Sequence, residues 1–86
     1  MRELEKSFKG KGEVKGYNFT QITLTDKAFL YEVERDGVFH YEVFKRVENS
    51  RFDCVSYPSS KSFGIWAWSC GTLKRALQRF NQLNSL

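Results

Sequence analysis

The chain has 86 residues, a formal charge of +4, and eight Phe, four Tyr and two Trp among its side chains. A chain of this size forms one domain, residues 1–86, and buries only roughly 60–65% of its unfolded surface. The aromatic residues, each hiding about 150–250 Å² when buried, must therefore supply much of the core, and their abundance excludes an intrinsically disordered chain.

The N-terminus, Met1–Phe8, is charged and lacks the apolar run of a secretory leader. No stretch approaches the roughly 20 apolar residues of a membrane span. The expectation is a cytoplasmic domain with no membrane partner, in which Cys54 and Cys70 read as free thiols, a Cys54–Cys70 disulfide being the alternative.

Glycines punctuate the next segment, where Gly10, Gly12 and Gly16 alternate with Lys9, Lys11 and Lys15. The alternation suits a bent or bulged edge strand. It does not match a phosphate-binding loop, which needs Gly-x-x-x-x-Gly-Lys-Ser/Thr. Beyond Gly16 the period is near two. Tyr17 and Phe19 share one parity and Ile22 and Leu24 the other, which places a bulge near Thr20–Gln21. Asp26–Lys27 reads as a turn.

Around Asp36-Gly37 two registers compete. A two-residue loop sets Val33 opposite His40 and Tyr31 opposite Glu42, scattering apolar side chains over both faces. A three-residue loop, Arg35-Asp36-Gly37, gathers Phe29, Tyr31, Val33, Phe39, Tyr41 and Val43 on one face, and this register is the expected one. It leaves His40 on a wetter face with Glu32 and Glu42.

Asn49-Ser50 marks another turn, Arg51–Tyr57 a short strand, Pro58–Ser62 a polar loop and Phe63–Ser69 a last strand carrying Trp66 and Trp68 on one parity. From Thr72 to Leu83 the period changes. Leu73, Ala76, Leu77, Phe80 and Leu83 form one helical stripe, with Thr72 or Ser69 as N-cap. The fold class expected is α+β: a single antiparallel meander sheet of four to five strands with one C-terminal amphipathic helix packed on one face. The helix is expected to cover the six-residue Phe29–Val43 face and to leave part of that aromatic face exposed.

The chemistry is sparse. General acid–base catalysis favours histidine, and His40 is the one present, placed as an exposed cross-strand partner of glutamates. Cys54 or Cys70 as a nucleophile would require His40 as base, and His40 points to the other face. Two cysteines and one histidine are too few for a closed zinc site, and calcium-loop carboxylate spacing is absent. No catalytic residue, metal or cofactor is expected, and the chain reads as a non-enzymatic binding module.

Two features point to nucleic acid. Lys74 and Arg75 lie in the first helical turn, with Arg79 one turn later. Cations there oppose the helix dipole, a penalty that a bound anion would reverse. Lys61, in the Ser59-Ser60-Lys61-Ser62 loop, is expected to join them. The second feature is aromatic: Trp66, Trp68 and Tyr57 are candidate stacking platforms, with Lys45, Arg46 and Arg51 as phosphate contacts, the alternative being that both tryptophans belong to the core. The alternative is a protein–protein or homodimerisation module using a leftover aromatic sheet face or an edge strand.

The segment Tyr41-Glu42-Val43-Phe44-Lys45-Arg46, followed by Tyr57-Pro58-Ser59-Ser60-Lys61-Ser62-Phe63-Gly64-Ile65-Trp66-Ala67-Trp68, resembles a pattern in small proteins of tailed phages and prophages. Leu73, Ala76 and Phe80 of the helix fit it as well. The resemblance spans about half the chain and carries no catalytic motif. It implies a bacterial or phage setting, with nucleic acid or a host protein as partner.

Overall fold

The structure, a computed structural model, describes residues 1–85. Its main sheet is antiparallel and five-stranded, in the order β1 (Ser7–Lys9), β2 (Asn18–Leu24), β3 (Ala28–Arg35), β4 (Val38–Lys45) and β7 (Ala67–Cys70). β5 (Glu48–Asn49) and β6 (Cys54–Val55) pair as a separate two-stranded ribbon, and the helix α1 (Leu73–Asn84) closes the element order. The α+β class and the C-terminal helix on the sheet are as the sequence predicts.

The hairpin β3–β4 decides the rest, and here the expected register is wrong. Val33 pairs with His40, Tyr31 with Glu42, Leu30 with Val43 and Phe29 with Phe44. The loop has two residues, Asp36 and Gly37, both with positive φ (52° and 79°). That is the geometry of a type I′ turn, whose twist matches the flanking strands. Glu34 completes it by accepting the Gly37 N–H at 2.9 Å.

This register does spread apolar residues over both faces, and it is stable because both faces are covered. On one side α1 lays Ala76, Phe80 and Leu83 on Ala28, Leu30 and Val43. On the other, Phe19, Phe29, Tyr31, Val33, Phe44 and Ala67 meet Val55, with Tyr57, Phe63 and Trp66 packed against them. Four consecutive β3 residues, Ala28 to Tyr31, have no exposed surface. The helix therefore does not cover the predicted Phe29–Tyr31–Val33 face. That face is covered by residues 55–66, which leave Phe29 and Tyr31 no open surface; of the six residues expected together, Phe39 is the ring left half-exposed.

Further differences follow from the same second layer. Of Arg51–Tyr57, residues 51–53 form a turn and only Cys54–Val55 is a strand. The last strand begins at Ala67, because residues 59–66 coil over the sheet with a 3-10 turn at Ser60–Ser62. Trp66 and Trp68 consequently do not share a face: Trp66 packs on the Tyr57 side and Trp68 on the α1 side. The β2 bulge falls at Ile22, between the pairs Gln21–Tyr31 and Thr23–Leu30.

The glycine-punctuated segment is not a long bent strand. β1 ends at Lys9, and residues 10–17 form a tight connection with a 3-10 turn at Gly12–Val14. A Cβ on Gly10 would stand 2.0 Å from the Val14 carbonyl oxygen, so only glycine fits there.

α1 starts as the sequence indicates. The Thr72 hydroxyl accepts the Arg75 N–H at 3.2 Å, satisfying one of the orphan donors of the first turn. Of the five stripe residues, Leu73 and Leu77 overhang the sheet and remain partly exposed.

Candidate functional site

The strand β7 and the helix α1 meet across a cleft of about 440 Å³ lined by Trp68, Ser69, Cys70, Arg75, Arg79 and Gln82 among others. The geometry follows from short connectivity. Gly71 and Thr72 alone separate β7 from α1, so the helix folds back beside the strand it leaves, and its 75/79/82 side runs along that strand. The Arg79 guanidinium lies over the Trp68 ring, 4.8 Å from its centroid. Such a stack pre-orients the planar cation and leaves its edge N–H donors available. Burial pushes the Cys70 thiol up, opposed by the weaker pull of Arg79 and Arg75. It is therefore a protonated lining residue rather than an activated nucleophile.

The predicted site residues divide cleanly. Arg75, Arg79 and Trp68 are brought together, with Lys74 exposed on the same first turn. No ion pair of the described residues involves Lys74, Arg75 or Arg79, and α1 contains no acidic side chain. Lys61 is not brought to the helix. Ser59, Ser60 and Phe63 around it line a groove with Phe8 and Phe19 on the opposite side of the sheet.

Arg46 is committed elsewhere: it donates to both Glu3 carboxylate oxygens and to Glu48, and sits over the Phe29 ring. Those partners raise its already high pKa and lower that of Glu3. Lys45 lines a cleft with Asp26 and Glu48 beside Arg46. Arg51 lies over Phe52 in an exposed turn. Trp66 is edge-on to Phe44, half-buried in the second layer.

His40 also differs from expectation. It shares a face with Glu42, whose Oε2 is 3.0 Å from His40 Nε2, while Glu32 pairs with Tyr41 on the α1 side. The third member of this group, Tyr57, donates its hydroxyl to Glu42 Oε1 at 2.7 Å. Only the two-residue hairpin register could have revealed it. Among the described residues, no group of three or more His, Cys, Asp and Glu side chains could hold a metal ion. No helix of the described residues is long and apolar enough to cross a membrane.

One signal lay in the sequence and is easily missed. Residues 1–53 carry ten basic and ten acidic side chains, whereas residues 54–86 carry Lys61, Lys74, Arg75 and Arg79 and no Asp or Glu. The whole +4 excess thus belongs to the segment that supplies β7 and α1. No protein family, curated protein or solved structure matches the chain.

Proposed function

We propose that this protein is a small non-enzymatic binding module that contacts nucleic acid through the β7–α1 face. The observation that carries this reading is the set of Lys74, Arg75 and Arg79, which concentrates cationic charge on a helix with no acidic residue and no ion pair among the described residues. Phosphate oxygens are the natural counter-charge for such a face, and a guanidinium braced on an indole suits their geometry. Trp68 serves here to brace Arg79 rather than to stack freely on a base.

Phosphate contacts release counterions, so affinity depends steeply on salt. Three contacts to a single strand give a log–log slope of about −2. The test is fluorescence anisotropy of labelled single- and double-stranded DNA and RNA over a salt series. Binding with a slope of this size is expected, and it is lost in a Lys74→Glu/Arg75→Glu/Arg79→Glu variant with unchanged circular dichroism. A Lys45→Glu/Arg51→Glu control, altered away from the cleft, retains most of the affinity. Absence of binding at low salt, or an unaffected triple variant, would sink the reading.

The protein-interaction reading keeps less of its aromatic sheet face, since Phe29 and Tyr31 are covered and Phe39 alone of its rings is half-exposed, and it retains the edge of β1.

A further inference from the structure

On the side of the sheet away from α1 lies a second and larger concavity, about 920 Å³, within the upper range of small-molecule sites. Its apolar lining comes from Phe8 and Phe19 on β1 and β2 and from Tyr57, Pro58 and Phe63 of the covering segment. Val14, from the tight connection that Gly10 permits, completes it. The Phe8 and Phe19 rings stack at 4.7 Å, and Tyr57 stands edge-on to both.

One charged side chain of this lining is largely withdrawn from water: Glu42, 14% exposed. Its carboxylate accepts the Tyr57 hydroxyl on one oxygen and meets His40 on the other. A carboxylate offers about four acceptor positions, so two partners leave capacity for more. A ligand that filled the groove would strip the remaining water from this group. A neutral apolar ligand would leave it less solvated, and an anion would be repelled. A ligand carrying an ammonium or guanidinium group would satisfy it, with aromatic faces adding cation–π attraction. The exposed rim does not reverse this preference, because Lys9 and Lys11 are offset by Glu5 and Glu13.

We infer that the groove between β1–β2 and the Tyr57–Phe63 segment binds an amphipathic organic cation, its apolar body against Phe8, Phe19, Tyr57 and Phe63 and its protonated nitrogen on Glu42. This chemistry belongs either to a free amine or to an arginine side chain of a peptide beside an aromatic one. The site is on the opposite side of the sheet from the cationic cleft and stands or falls independently of it.

Three probes with one ring and different charge decide the matter: phenethylammonium, phenethyl alcohol and 3-phenylpropionate, each titrated at millimolar concentration and followed by NMR chemical shifts. Phenethylammonium is expected to bind with shifts at Phe8, Phe19 and Tyr57, and 3-phenylpropionate is not. Glu42→Gln keeps an acceptor for Tyr57 and removes the charge. It should weaken the cation by about tenfold or more and leave the alcohol unchanged. If that variant is unfolded, Lys11→Glu at the exposed rim decides, with about two- to fivefold tighter cation binding expected. A capped Ala-Phe-Arg-Ala peptide distinguishes the sources: tighter binding than phenethylammonium assigns the groove to a protein partner, weaker binding to a small molecule. Equal binding of all three ring probes, preference for the anion, or no binding of any probe overturns the inference.

Discussion

Replacing Tyr57 by phenylalanine isolates the contribution of one buried hydroxyl. The ring would keep its edge-on contacts to Phe8, Phe19, Tyr31 and Phe44, at 4.8–5.5 Å between centroids. Only the hydrogen bond to Glu42 Oε1 is lost. A hydrogen bond to a charged acceptor contributes about 1.5–3 kcal/mol. Glu42 keeps His40, so a loss near the lower end, about 1.5 kcal/mol at neutral pH, is expected.

The same hydroxyl makes stability depend on pH. Burial, then the adjacent Glu42 charge, hold the Tyr57 phenol well above its ordinary pKa. In the unfolded chain it ionises near pH 10. Above that point the unfolded state binds fewer protons than the folded one, so stability falls as pH rises; below it, the contribution is intact. Integrated from about pH 9 to about pH 11, the loss amounts to about 1.4 kcal/mol for this one group. Tyr57→Phe lacks it. Urea unfolding followed by circular dichroism, at neutral and alkaline pH, should show the wild type more stable by about 1.5 kcal/mol near neutrality and the two proteins nearly equal near pH 11. A gap that stays constant with pH would refute the reasoning.

Phe80→Ala should cost about 3–5 kcal/mol in urea unfolding, since Phe80 is buried between α1 and the Leu30–Val43 surface; a loss under about 1 kcal/mol would mean that the helix is not seated as described. Gly37→Ala meets no atom within 4 Å, so any effect comes from its φ of 79° alone, and about 1 kcal/mol of destabilisation is expected. An unchanged midpoint would contradict the type I′ turn. Arg46→Lys removes the two-pronged grip on Glu3. Faster hydrogen exchange is expected at the Arg2 and Val55 amides, which bond to Asp53 and Arg2 carbonyls, with little change at Tyr31.

The class of the fold was legible because its signals are local. The α1 stripe, the Thr72 cap and the alternation through β3 and β4 each reside within a dozen residues. The hairpin register was not, because it depends on what covers the sheet. Taking one covered face as given, the three-residue loop maximises its apolar content. With a second layer over Phe29 and Tyr31, the two-residue type I′ turn buries more, and the positive φ of Asp36 becomes acceptable. The second layer itself was hidden by its composition: Pro58–Ser62 is polar in sequence, yet Pro58 and Ser62 are buried.

The site followed the same division. Arg75 and Arg79 were legible from helical spacing, and Trp68 joined them through the two-residue β7–α1 connection. Lys61 was misplaced because the path from Ser59 to Trp66 lies across the other face. The groove with Glu42 was illegible, since Glu42 and Tyr57 meet only under the observed register.

A sheet walled on both sides has a consequence for synthesis. The four strands β1 to β4 emerge from the ribosome before β7 and α1. Until those follow, β4 has an unpaired edge, and Ala28, Leu30 and Val43 have nothing to cover them. The nascent chain is then at its most adhesive, with an open edge beside an apolar strip. A chain cut shortly after Lys45 would keep that edge and that strip open, and the final turns of α1, carrying Phe80 and Leu83, are what end the exposure.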